Sequence, residues 1–385
     1  VDRSRRAVSA AQPRNETPRL AAALAMPTPL LWLLASASAF GPRTQQRAPL
    51  PPPPAASPMP VRVATGATGA AWVALGARTF DVESSRQLVG ALGVATATFE
   101  DNIREPAAGF LELTSPVFVL EGALLVALAA NVFEARPADA ARVGASLALA
   151  SAATLAGLAV ATSSGAPVVD EGVVGPAVDL LFLTAAVAVK AVGASGVDDV
   201  AALLKGDAVD LATDRGESAG GGFYRTLATF YRGSTLVGIL VGASFIFSPV
   251  NPIGIFETES AATHLFRAVC GIYIALVLCP AESLLWRCTK AGELDRAAAR
   301  ALNGAVGLAS GLLVVDGRVQ VETGSKAFAE LVAAQPDSPI VQMVNAGDVG
   351  RSETNTTAAF TVGLIVALFY LAQAAAPPAV DDAPR

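Results

Sequence analysis

The sequence predicts an all-α, polytopic transmembrane helix bundle of seven or eight spans, and three observations predict it. Hydrophobic residues make up 53% of the 385 and charged residues only 16%, too little polar surface to cover a soluble chain of this length. Mean hydropathy is +0.51. The apolar residues also gather into runs long enough, at about 1.5 Å per residue, to cross about 30 Å of hydrocarbon. Aromatics are just 6% of the chain, so its apolar mass of Ala, Val, Leu and Gly predicts slim helices that pack closely. The expected surroundings are a lipid bilayer. A net charge of −6 gives no reason to expect a nucleic-acid partner.

The first element lies in residues 1–64, read as a targeting region. Leu30 to Ala39 is an apolar core of ten residues, too short to span, and it ends in the small-residue cleavage pattern Ala37-Ser38-Ala39. Residues 26–39 therefore read as a signal peptide, with Met26 a credible initiator. From Phe40 to Phe80 there is no Asp or Glu, but Arg43, Arg47, Arg62 and Arg78 occur among Ser, Thr and Pro, the composition of a transit peptide. A signal core, small residues, Phe40 and then a basic, acid-free stretch resembles the bipartite plastid presequence of algae with secondary plastids. That resemblance covers residues 26 to about 65 and implies a plastid membrane, thylakoid or inner envelope. The alternative is an ordinary secretory signal followed by a Pro-rich linker, which would place the chain in a membrane of the secretory pathway.

Spans are expected at Phe110–Phe133, Val143–Ser163, Val173–Val189, Gly233–Val250, His264–Trp286, Ala301–Val315 and Thr357–Gln373. Val63–Ala77, rich in Gly and Thr, is either an eighth span or the end of the transit segment. The polar stretch 197–222, with its charges and glycine run, reads as a linker between a first helix group, 65–196, and a second, 223–376. Two four-helix units are one reading of that split. Residues 377–385 form a tail. Loop charge sets the topology, since Arg136, Arg142, Lys205, Arg215, Arg225, Arg287, Lys290, Arg296 and Arg300 fall on one side, while the short loops around Asp170-Glu171 and Glu257-Glu259 carry no cation. The basic side is expected to be stromal or cytoplasmic.

Gly238 and Gly242, and likewise Gly307 and Gly311, sit four residues apart on one helix face, where a second backbone can approach. Pro249, Pro252 and Pro280 are expected to end or bend their helices. Cys270, Cys279 and Cys288 recur every nine residues. That spacing separates neighbours by about 13 Å along a helix, so they read as buried apolar side chains rather than a disulfide or metal set. In the long loop 316–353, Asp316-Gly317 between β-branched residues signals a hairpin, and Lys326–Ala334 a short amphipathic helix that caps the bundle or docks a partner.

Ionisable groups inside spans are costly, which makes Glu121, Asp179 and Glu282 the candidate site residues, with Glu112 expected to reach the interface. Glu121 stands near the middle of its run, Asp179 follows Gly175-Pro176, and Glu282 follows Pro280. Three roles compete: neutral or hydrogen-bonded structural groups, proton or cation carriers in a transporter, or a carboxylate that pairs with Arg and ligates the magnesium of chlorophyll. The Glu- and Asn-rich helix motif of light-harvesting families is absent, and no cofactor is predicted. His264, the single histidine, stands at a helix entrance three residues before Arg267, where an interfacial hydrogen bond or a ligand contact would fit.

One histidine excludes a His-pair metal site, and the chain has no Cys-x-x-Cys, Walker loop or Gly-x-Ser-x-Gly elbow. Residues from about 225 to 317 resemble small bacterial four-helix membrane proteins of the DoxX-like group. Phe245-Ile246-Phe247-Ser248-Pro249, Phe266 to Tyr273 and Leu312 to Gly317 carry the likeness. It implies a four-helix unit rather than an activity, and those families' third-helix Arg is replaced by Ala309. The expected function is a non-enzymatic structural or accessory membrane protein, attached to a larger membrane complex. The alternative is a small-solute or proton-coupled transporter using Glu121 and Asp179.

Overall fold

The structure, a computed structural model, describes residues 59–95, 106–214, 222–247, 260–294, 296–336, 341 and 349–375. Among them there is no strand. The chain forms α1 (Met59–Thr79), α2 (Val82–Gly90), α3 (Ala107–Ala129), α4 (Pro137–Ser163), α5 (Glu171–Ala194) and α6 (Val200–Thr213). After these come α7 (Gly222–Phe247), α8 (Ala261–Tyr273), α9 (Cys279–Lys290), α10 (Ala297–Ala334) and α11 (Val349–Ala375). The signal core and most of the transit-like segment lie outside the described residues, as does the tail 377–385.

Among the described residues, six helical segments are long and apolar enough to cross a bilayer: α3, α4, α5, Tyr224–Phe247 in α7, the continuous rod Ala261–Lys290, and Ala297–Val319 in α10. The protein is thus an all-α, multi-pass membrane bundle. The remaining expected spans are also helical. Phe360–Ala375 in α11 is a shorter apolar segment, and Val63–Ala77 lies inside α1. The expected boundary between residues 64 and 65 falls within α1, which begins at Met59.

Antiparallel hairpins build the bundle, and glycine sets their spacing. Along α1, Gly66, Gly69 and Gly76 meet Ala129, Gly122 and Ser115 of α3 in turn, so the two helices run in opposite directions. A β-carbon at Gly69 would stand 2.7 Å from the Gly122 carbonyl oxygen, which means that the backbones touch. Gly144 of α4 packs on Ala188 and Val192 of α5. In the second half, Gly238 faces Cys279, Gly242 faces Gly271 and Ala275, Gly307 faces Tyr370 and Leu371, and Gly311 faces Ala367. Each half therefore consists of two hairpins, α1/α3 and α4/α5, then α7/α8–α9 and α10/α11.

One expectation is corrected, that of a hairpin at Asp316-Gly317, and two are narrowed. Pro280 does not end its helix. A π-helical turn, Ile274–Leu278, absorbs the missing N–H and the ring, and α8 continues into α9 as one rod. Asp316-Gly317 is no hairpin, because α10 runs unbroken from Ala297 to Ala334 and includes the expected amphipathic segment. The linker 197–222 contains α6, whose N-cap Asp199 accepts a hydrogen bond from the Ala202 N–H at 2.8 Å.

Candidate functional site: the buried carboxyls and the ion-paired end

Glu121 belongs to α3 and is fully buried. It faces an aromatic triangle built from three helices. Phe118, one turn earlier on α3, has its ring centroid 5.1 Å from Trp72 of α1 and 4.9 Å from Tyr273 of α8. Trp72 and Tyr273 are 5.8 Å apart. The Tyr273 hydroxyl lies beside the Glu121 carboxyl and near Thr154 of α4. Neither carboxyl oxygen nor the hydroxyl makes a well-formed hydrogen bond among the described residues, so the hydroxyl is a loose polar neighbour of the carboxyl. A buried polar group in that condition costs a few kcal/mol, roughly 1–3 by mutational measures. Tyr273 also stands immediately before the π-helical turn.

Around this cluster the other polar groups are satisfied, with the exception of Ser151. Trp72 donates through Nε1 to Thr184 Oγ1 at 2.6 Å, and Thr184 donates to the Leu180 carbonyl at 2.8 Å. Thr154 donates to the Ala150 carbonyl at 2.9 Å. The Ser151 hydroxyl, one turn before Thr154, is buried and unpartnered.

Glu282 faces the opposite half. Ser234 of α7 donates to its Oε1 at 2.7 Å and Tyr370 of α11 at 3.1 Å. The same layer holds Tyr231, whose hydroxyl donates to Asn303 Oδ1 at 2.8 Å, while Asn303 donates to the Ala299 carbonyl at 3.0 Å. These bonds join α7, α9, α10 and α11 through side chains spread over most of the second half.

Asp179 does not join either cluster. It is exposed on α5, with no hydrogen bond or ion pair among the described residues. The structure thus separates the two acids that the transport alternative pairs, because Glu121 is sealed inside and Asp179 points away from the bundle. Glu112, expected at the interface, is buried near Arg86 of α2 and Asp316 of α10. Arg267 is buried and donates through Nη2 to His264 Nδ1 at 2.8 Å, which leaves the His264 proton on Nε2. His264 itself is exposed at the helix entrance. Neither Glu121 nor Glu282 pairs with an arginine among the described residues, and these contain no group of three His, Cys, Asp or Glu side chains that could hold a metal ion. All three cysteines are buried thiols, and Arg136 donates to Cys288 Sγ at 2.7 Å.

Sequence reasoning missed an ion-pair network at the basic end. Arg142 grips Asp207 of α6 with two bonds, Nε to Oδ2 at 2.6 Å and Nη2 to Oδ1 at 3.0 Å, and reaches Asp139 at 2.7 Å. Arg287 bonds Asp207 at 2.5 Å and Asp210 at 3.2 Å, and Lys290 bonds Asp214 at 2.5 Å. Arg136 closes the set with Asp139 at 2.9 Å and Glu293 at 3.2 Å. Arg287 and Lys290 also lie over the Trp286 ring, 5.5 and 5.2 Å from its centroid. Except for Asp207 and Glu293, these groups line a cavity of about 530 Å³. Its cations are matched by acids, so the network clamps α6 beneath α4 and α9. The signal was present in the sequence as Asp207 and Asp210 on one helix face behind the N-cap Asp199.

A second cavity, of about 210 Å³, is apolar and lined by Leu124, Phe133, Leu302 and their neighbours. Neither cavity reaches Glu121, Asp179 or Glu282. Compared with family models, curated proteins and solved structures, the chain matches none.

Proposed function

We propose that the chain is a non-enzymatic structural or accessory protein of a plastid membrane, held within a larger membrane complex. The observation that carries this reading is the placement of the two interior acids. Glu282 is hydrogen-bonded to Ser234 and Tyr370, Glu121 is packed against an aromatic triangle, and neither borders the cavities described. A carrier would hold its acids along one path accessible to water, whereas here the Glu282 carboxyl is tied to α7 and α11 and the Glu121 carboxyl lies beside Tyr273 of α8. The plastid assignment is supported by the resemblance of residues 26–65 to a bipartite presequence.

A proton-coupled transporter is the second reading, favoured by the unpartnered Glu121 carboxyl beside a π-helical turn, a device frequent at functional sites. The test is proton and small-solute flux in proteoliposomes made with wild-type protein and with Glu121→Gln. The accessory reading expects equal flux, indistinguishable from empty vesicles. Flux above that background in the wild type, lost in the variant, would establish transport instead. Co-migration with chlorophyll complexes on native gels of plastid membranes tests attachment.

A further inference from the structure

Among the described residues, the outward face of α5 differs from every other exposed face of the spans. Elsewhere, ionisable side chains well inside a span are buried or bonded: Glu121 and Glu282 are buried, and Arg232 donates to the Leu211 and Ala212 carbonyls. The outward face of α7 shows the pattern suited to lipid, with Val237, Leu240 and Phe247 exposed and no charge from Gly233 to Phe247. On α5, Asp179 is exposed and has no hydrogen bond or ion pair among the described residues, eight residues from the helix start. Its Cα lies about 12 Å from that end, well within the hydrocarbon.

Asp179 is also part of a regular row. Gly172, Pro176, Asp179, Leu183, Ala186 and Lys190 are all exposed and follow one another at intervals of four, three, four, three and four residues. That alternation is the seam of two helices packed side by side, and Gly172 and Ala186 provide the small positions at which backbones approach. Phe182 and Val189 flank the row and are 61% and 59% exposed. Pro176 lacks an N–H, so the Gly172 carbonyl, four residues earlier, loses its helical donor. The row from Gly172 to Asp179 therefore presents acceptors, with the Asp179 carboxylate the one inside the hydrocarbon, and it calls for a donor.

We propose that this row is the docking seam for one transmembrane helix of a different protein, with a Lys or Arg at the depth of Asp179. A second copy of the chain does not fit. Copies share one orientation in the membrane, so a two-fold pair meeting along this row would set Asp179 against Asp179 and Lys190 against Lys190. A basic partner helix neutralises the carboxylate where water is absent, and such an intramembrane pair is worth far more than one at a surface. The inference deepens the accessory reading and rests on it.

The test uses full-length protein, fluorescently labelled and reconstituted in phosphatidylcholine vesicles, with 23-residue Leu/Ala membrane peptides carrying an acceptor dye and a central Lys, Leu or Glu. Energy transfer should show the Lys peptide binding at least tenfold more tightly than the Leu or Glu peptide. Asp179→Asn should reduce that preference to within twofold, and Asp179→Glu should retain it. Ala186→Phe, which leaves the charge alone and fills the seam, should weaken the Lys peptide at least fivefold. Equal binding of the three peptides, a preference that survives Asp179→Asn, or transfer between two labelled copies that Ala186→Phe abolishes would overturn the proposal. Failure here leaves the flux result for Glu121→Gln untouched, and a positive flux result leaves the peptide preference untouched, so the two readings fail separately.

Discussion

At the scale of single residues, Glu121 and Glu282 represent two ways of keeping a carboxyl inside a membrane bundle. Glu282 is bonded from two helices, whereas Glu121 and Tyr273 lie side by side with no well-formed bond. Replacing an unbonded polar pair by apolar groups of similar shape removes a desolvation cost and leaves the packing in place. Glu121→Met with Tyr273→Phe is therefore expected to stabilise the protein by about 1–3 kcal/mol, read as resistance to denaturant in detergent. A loss of stability would show that the pair is bonded in the membrane. Both acids were legible in the sequence because a charge interrupting an apolar run stands out. Their surroundings were not, since Trp72 bonds Thr184 across 112 residues and no local pattern encodes such a pairing. Asp179 gave the same signal as Glu121 yet faces outward. Its helix is apolar all round, and such a helix does not reveal which side is interior.

At the scale of elements, each of the seven spans expected from Phe110 onward falls largely on a helix, because runs of that length and apolarity have no other way to satisfy their backbone in lipid. The polar elements were less legible. α6 reads as a linker by composition, and it is held by ion pairs to Arg142 and Arg287 that no periodicity announces. α10 overruns its apolar segment because nothing in Gly317 to Lys326 is strong enough to break a helix already packed on α11. Asp207→Ala removes the shared acid beneath both arginines. Amide exchange across 200–213 should then quicken at least tenfold, and in the wild type it should quicken with added salt, which screens partly exposed pairs. Unchanged exchange in the variant would mean that apolar packing alone holds α6.

At the scale of the whole molecule, alternating antiparallel helices gather Arg136, Arg142, Arg287 and Lys290 at one end and Asp170 and Glu171 at the other, in agreement with the topology drawn from loop charge. The three native thiols are buried, so they give a silent background for labelling. Cysteines introduced at Val169 and at Ala201, both exposed, should react with a membrane-impermeant maleimide from opposite faces of sealed vesicles. Labelling from a single face would rule out this arrangement. The hydrogen bonding of Glu282 also has a bearing on biosynthesis. Ser234 leaves the ribosome 48 residues before the acid, but Tyr370 follows 88 residues after it. At about 5–20 residues per second, that is an interval of about 4 to 18 s in which the nascent rod holds its carboxyl with one hydroxyl alone. The second comes from α11, made well after the acid, so this later helix acts as a closing clasp on the rod.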